Sequence, residues 1–145
     1  MSIIYRKGDL LAGPEKYLIN GCNAQGVMGS GIALQIKRKW PEAYEYYKYA
    51  YVNGGLELGT ILTVDCDDKL VIHCITQEFY GGDSNRVYVD YCAVKNYLRF
   101  VNHNFKQHSI AMPKIGCGLA NGDWNIIEQI INETMVDCQP IVYTL

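Results

Sequence analysis

Two stretches of this chain place glycines where a backbone can close around an anion. The first runs Asn20-Gly21-Cys22-Asn23-Ala24-Gln25-Gly26-Val27-Met28-Gly29-Ser30-Gly31-Ile32, and the second Pro113-Lys114-Ile115-Gly116-Cys117-Gly118-Leu119. Each follows an apolar run and opens into a helical pattern. Glycine lets a backbone approach a phosphate and adopt positive φ, and the N–H groups at a helix start supply preorganised donors for negative charge. Two such loops suit a diphosphate. Neither is a dinucleotide fingerprint, because Leu34 and Asn121 stand where the third glycine would be, and neither is followed by the Gly-Lys-Ser/Thr of a nucleotide triphosphate loop. A lone Gly-x-Gly is more often a tight turn, and for the pair the turn and phosphate readings stand about level.

These loops need strands before them and helices after them, and the hydrophobic pattern supplies both. Ile3 to Arg6 and Tyr17 to Asn20 are short apolar runs closed by Lys7-Gly8-Asp9 and Asn20-Gly21, which predicts two buried strands ending there. Gly31 to Lys39 carries apolar residues near helical spacing. Pro41 forbids an undisturbed continuation and suits the start of a second helix, so a break falls near Trp40-Pro41. Ile61 to Asp65 and Leu70 to Thr76 flank Asp67-Asp68 as a hairpin whose second strand is apolar enough to be central. Tyr91, Val94, Leu98 and Val101 form a helical stripe with Asp90 as its N-cap, and Ser109 to Pro113 reads as a strand. Trp124, Ile127, Ile131 and Met135 form another stripe, with Asp123 as N-cap, and Ile141 to Tyr143 closes the sheet. Alternating strands and helices predict an α/β domain: a mixed, largely parallel sheet with helices on both faces, binding ligands beyond the carboxyl ends of its strands.

Composition limits the partners. With 145 residues and 49% hydrophobic side chains, no repeat and no linker composition, the chain reads as one domain over residues 1–145. Thirteen basic against fifteen acidic residues give a charge of −2, so bulk nucleic-acid binding is not expected. The six cysteines lack Cys-x-x-Cys pairs and metal spacing, which reads as reduced thiols, with no metal and no cofactor. No apolar run approaches the ~20 residues of a membrane span and no signal-peptide core opens the chain, so a cytoplasmic protein is expected. Tyr44, Tyr46, Tyr47, Tyr49 and Tyr51 fit a half-buried helix face better than a base-stacking surface. His73, inside an apolar strand, reads as a satisfied core histidine, and Cys22, Cys92 and Cys117 as fillers rather than nucleophiles.

From Gly8-Asp9-Leu10 through Gly21-Cys22-Asn23, Met28-Gly29-Ser30-Gly31-Ile32-Ala33 and Met112-Pro113-Lys114-Ile115-Gly116-Cys117-Gly118-Leu119 to Val142-Tyr143-Thr144-Leu145, the chain resembles the macrodomain family. It is most similar to the small branch of terminal ADP-ribose protein glycohydrolases and ADP-ribose 1″-phosphate phosphatases. The resemblance implies a three-layer macrodomain fold and a cleft for ADP-ribose or ADP-ribose 1″-phosphate, free or as an ADP-ribosylated protein. Asp9 would accept from the adenine amino group, Leu10 would lie against the base, and Asn23 would reach the distal ribose. Met28, Gly29, Ser30, Gly31 and Ile32 would line ribose and diphosphate, with Pro113, Ile115, Gly116, Cys117, Gly118 and Leu119 wrapping the other side. The glycohydrolase branch carries a catalytic lysine and an aspartate where this chain has Gln77 and Ala120. Glutamine forms no adduct with a ribose aldehyde, and alanine moves no proton. Thr76 to Gly82 with Tyr88-Val89-Asp90-Tyr91 is closer to the phosphatase branch, which implies a hydrolase removing the 1″-phosphate through Asp90, Asn23 and Asn20. Hydrolysis of mono-ADP-ribosyl protein, or ADP-ribose reading without turnover, are the alternatives.

Overall fold

The computed structural model describes residues 2–145. Six strands, β1 (Ile4–Lys7), β2 (Tyr17–Asn23), β3 (Ile61–Cys66), β4 (Lys69–Gln77), β5 (Ser109–Met112) and β6 (Gln139–Thr144), form one sheet in the order β1-β6-β5-β2-β4-β3. All neighbours are parallel except β3 and β4. The four helices are α1 (Gly31–Lys39), α2 (Pro41–Val52), α3 (Tyr91–Asn104) and α4 (Trp124–Thr134).

Period-two alternation divides the strands between two cores. Leu18, Val71, Ala111 and Ile141 pack with Ile36, Trp40 and Ala43 of the α1–α2 layer, while Ile19, Ile72, Ile110 and Val142 pack with Leu98, Val101, Ile127 and Ile131 of the α3–α4 layer. The three-layer mixed α/β arrangement is therefore present. Each fully buried Ile or Leu contributes on the order of 1.5–3 kcal/mol, so the sheet is held from both faces. The break at Trp40-Pro41 is present, with Pro41 opening α2. Asp67, at φ +57°, makes the β3–β4 turn. Asp90 and Asp123 cap α3 and α4, accepting from Ala93 N and Asn125 N at 2.9 Å each. Of the α2 tyrosines, Tyr47 is fully buried, Tyr44 half-buried, and Tyr46, Tyr49 and Tyr51 exposed. Among the described residues, no helix is long and apolar enough to cross a membrane.

Every strand boundary lies within two residues of expectation except the end of β2. β1 is shifted one residue on, to Ile4–Lys7. More consequentially, β2 does not end at Asn20-Gly21 but continues to Asn23, pairing along β4. Sheet pairing overrides the local turn preference here: a Cβ on Gly21 would meet Thr76 Oγ1 at 2.6 Å, so glycine is what lets β2 pass close beneath its neighbours. Tyr97 of α3 reaches the same place, its hydroxyl accepting from Asn20 N at 3.2 Å and donating to Ile72 O.

Candidate functional site

The sheet order reverses at β2. Chain leaving β2 passes to α1 and α2 on one face, whereas chain leaving its neighbour β5 passes to α4 on the other. The loops after the two strands diverge, leaving a crevice at their carboxyl ends where open α/β sheets bind ligands. The two glycine loops follow β2 and β5, the position from which such a crevice is lined.

The first loop is shaped by Asn23. Its Oδ1 accepts from Gln25 N at 3.0 Å, Val27 N at 3.3 Å and the Tyr47 hydroxyl at 2.9 Å, and its Nδ2 donates to Val27 O at 2.8 Å. Met28, 2% exposed, plugs the loop onto Cys22, Tyr47 and Ile75. Gly29, Ser30 and Gly31 then stand exposed, and Ile32 half-buried. Ser30 is the N-cap of α1 without a side-chain cap bond, so the first-turn N–H groups of Gly31, Ile32 and Ala33 have no acceptor within the helix or from Ser30. Gly31 has φ +58°. The second loop is braced internally, Cys117 N donating to Lys114 O at 3.2 Å and Gly122 N to Gly116 O at 2.6 Å. Ile115 is buried and Pro113, Gly116 and Cys117 are half-buried, while Gly118 and Leu119 are exposed. Among the described residues the Gly118 N–H donates to nothing, and no atom lies within 4 Å of where its Cβ would be. The crevice thus offers two sets of open backbone donors, which suit an anion with several oxygens.

Asp9 is exposed at the carboxyl end of β1 and caps the short 3-10 turn Leu10–Ala12, one oxygen accepting from Leu11 N at 2.9 Å. Its other oxygen makes no hydrogen bond among the described residues. The turn is held firmly. Glu15 accepts from Arg6 at 3.0 Å and from the Tyr143 hydroxyl, and Lys69 Nζ donates to Gly13 O at 2.7 Å and Glu15 O at 2.6 Å. Leu10, expected against a base, is 5% exposed and packs into the α1–α2 core, so it can offer a ligand little more than its edge.

Two of the three residues expected to act chemically have other employment. Asn20 is 1% exposed inside the sheet, since β2 runs past it. Its Nδ2 lies 3.3 Å from His73 Nδ1, and as His73 Nε2 faces the carbonyl of Ala43 at 3.0 Å, the proton is on Nε2 and Nδ1 accepts. Asn20 is corrected to a core residue closed off from solvent. Asn23 is 8% exposed, its Oδ1 engaged and its Nδ2 donating to Val27 O, so it shapes the loop and keeps one amide N–H uncommitted. Burial lowers the His73 pKa to about 4 and pushes the Cys22 thiol up, which removes the pair, 3.6 Å apart, from nucleophilic chemistry at neutral pH. Burial likewise raises Cys117 to about 11. Among the described residues no cluster of His, Cys, Asp and Glu could hold a metal ion.

Asp90 is half-buried, and only its Oδ1 is used, on Ala93 N. It lines a shallow cavity of about 220 Å3 with Leu58, Glu78, Phe79, Arg86 and Tyr88, next to one of about 390 Å3 lined by Gln25, Tyr51 and Glu57. The cavity joins the second loop through Val89, against which a Cβ on Gly116 would press at 2.6 Å. The sequence assigns no role at the site to two residues here, Asn121 and Arg86, and Tyr88 joins them. Asn121, at φ +57°, donates from Nδ2 to Asp83 O at 2.9 Å and Arg86 O at 2.8 Å, tying the 83–86 segment to the second loop. Arg86 lies with its guanidinium carbon 5.2 Å from the Phe79 ring centroid and 4.8 Å from that of Tyr88. Tyr88 N donates to Ala120 O at 2.8 Å. Gln77, where the glycohydrolase branch has lysine, donates from Nε2 to Phe79 O at 2.7 Å, and Ala120 is 6% exposed.

The Macro domain family model matches residues 19–131. The chain is 34% identical over 131 residues to a DNA ADP-ribosyl glycohydrolase of Mycobacterium tuberculosis, covering 88% of this chain and 37% of that protein. It spans little more than a third of that relative's length. A Candida albicans ADP-ribose 1″-phosphate phosphatase is 30% identical over 146 residues, covering 90% of this chain and 92% of that protein. Among solved structures, the macrodomain of Mycobacterium tuberculosis DarG superposes with a TM-score of 0.80 at 28% identity, covering 99% of this chain and 97% of that one.

Proposed function

The chain belongs to the macrodomain family, and from that premise we propose that its crevice binds ADP-ribose and that it hydrolyses ADP-ribose 1″-phosphate to ADP-ribose and phosphate. The carrying observation is the pair of glycine loops that present open N–H groups from both sides of the switch point, with bare space over Gly118. A diphosphate satisfies such donors, and Asp9 with a free oxygen at the far end of the sheet matches the adenine amino group. The Candida relative, matched over nearly its whole length, supports the phosphate-releasing activity.

In this reading water attacks phosphorus, the bond from phosphorus to the C1″ oxygen breaks, and a proton passes from the water to a base while the departing hydroxyl gains one. Asp90 supplies the base through its unused oxygen, its ring of neighbours opening directly onto the second loop. The α1 and second-loop N–H groups hold the diphosphate, so the distal ribose is presented toward Asp90. The glycohydrolase relatives favour a second reading, cleavage of an ADP-ribosyl bond to a macromolecule. Gln77 and Ala120 argue against a lysine-and-aspartate route to it. The test incubates the protein separately with ADP-ribose 1″-phosphate, ADP-ribosylated DNA and an ADP-ribosylated carrier protein. Phosphate release from the first alone is expected; release of ADP-ribose from either conjugate instead selects the second reading, and binding with no turnover leaves a reader.

A further inference from the structure

We propose that Arg86 receives an anionic substituent on C1″ of the bound ADP-ribose and sets the preference of the site for the phosphorylated ligand. The inference rests on the ADP-ribose reading of the crevice. Arg86 is exposed, yet it is held: its guanidinium carbon lies 5.2 Å and 4.8 Å from the centroids of Phe79 and Tyr88. Its own carbonyl accepts from Asn121 Nδ2 at 2.8 Å. Asn121 N in turn donates to Gly118 O at 3.0 Å, so Arg86 is fastened to the loop that would wrap the diphosphate. Among the described residues its guanidinium makes no hydrogen bond and no ion pair. An arginine lying over two rings with every guanidinium N–H open is a fork preorganised for a tetrahedral or planar oxyanion, and a phosphate takes two of those donors at once.

The surrounding charge sharpens the inference. Glu78 and Asp90 line the same cavity, and Arg86 is the cation among its lining residues. Neither carboxylate lies within ion-pair distance of the guanidinium, so Arg86 is not spent on neutralising them. Without it, a phosphate entering beside Asp90 would meet two carboxylates and no counter-charge. Arg86 is thus a specificity-determining residue: it admits the anion to a cavity whose other charges would reject it, and leaves Asp90 its base.

Stopped-flow displacement of a fluorescent ADP-ribose by ADP-ribose or by ADP-ribose 1″-phosphate reads affinity before turnover. Wild type should bind the phosphate form about tenfold tighter, the scale of one charge-assisted contact at a partly exposed site. Arg86→Ala should bind ADP-ribose as before but the phosphate form more weakly than ADP-ribose, inverting the order. Arg86→Lys should recover only part, lacking the fork. Asn121→Gly keeps the positive φ and removes both tethers, so it should narrow the preference without abolishing ADP-ribose binding. Equal affinities in wild type, or an unchanged preference in Arg86→Ala, overturn the inference while leaving the crevice reading intact. Failure of wild type to bind ADP-ribose at all overturns both.

Discussion

Two glycines of the second loop, two residues apart, separate what the loop does for the fold from what it does for a ligand. Gly116 has φ +73°, and a Cβ there would lie 2.6 Å from Val89 Cγ2 and 3.0 Å from Val89 Cβ. Alanine would incur about 1–2 kcal/mol for the left-handed backbone and roughly 1–3 kcal/mol for pushing Val89 aside. The sum, about 2–5 kcal/mol, should lower the melting temperature of a chain of this size by roughly 5–20 °C. Gly118 is the opposite case, with no atom within 4 Å of its Cβ direction and no positive φ. Gly118→Val should melt within about 2 °C of wild type, as surface substitutions stay within about 0.5 kcal/mol. The assay is thermal melting with and without ADP-ribose. A ligand at a hundredfold excess over its Kd adds about 2.7 kcal/mol, so wild type should shift upward by several degrees. Gly118→Val should lose most of that shift, because the isopropyl group fills the space taken by the diphosphate. A Gly118→Val protein with the full wild-type shift would refute the reasoning, since the open space would then not be the ligand's.

At the adenine end, Asp9→Ala removes a charge-assisted acceptor of about 1.5–3 kcal/mol, so calorimetric titration should show ADP-ribose binding weakened at least tenfold; wild-type affinity would reduce Asp9 to its cap on Leu11. Asp90→Asn retains an equivalent helix cap but not the base. It should melt within a few degrees of wild type, bind ADP-ribose, and release phosphate 10²–10⁴-fold more slowly, on the order expected for loss of a general base; an unchanged rate would leave Asp90 a cap only. His73 makes a pH prediction. Its folded pKa, lowered to about 4 by burial, lies below the ordinary value, so the unfolded chain binds the proton first. Its contribution to stability is complete at neutral pH and is lost as pH falls from about 6.5 through about 4, amounting to about 3 kcal/mol at most. Urea unfolding should show that loss in wild type and a flatter profile in His73→Gln; identical profiles would place the acid sensitivity elsewhere.

Much of the fold was legible because the periodicities are clean. The alternation Leu18/Ile19 and Val71/Ile72 belongs to strands covered on both faces, and the stripe of Val94, Leu98 and Val101 to a helix covered on one. Caps were readable for the same reason: Asp90 and Asp123 stand one residue before their helices, and each makes the backbone hydrogen bond its position requires. Asn20-Gly21 misled because turn chemistry is a local preference of modest size. Pairing with β4 across the whole of Tyr17–Asn23 outweighs it, and glycine was there for the close approach of Thr76.

The site was less legible, and Asn20 and Asn23 show why. An asparagine near a glycine loop reads the same whether its amide meets a ligand, closes a turn or satisfies a buried histidine. Only the partners decide, and His73 and Tyr47 come from strands and helices 53 and 24 residues away. The same distance hid Arg86. Between Asn85 and Val87 it has no motif, and its interest arises when Phe79, Tyr88 and Asn121 converge on it. What could be read from the chain was the part whose chemistry is carried by backbone, because glycine spacing and a helix start announce open N–H groups without any tertiary partner. Specificity for what sits on C1″ is carried by side chains assembled from three segments. It follows that substitutions at Gly118 and at Arg86 should act on different terms, the first on every ADP-ribose derivative and the second only on those bearing an anion.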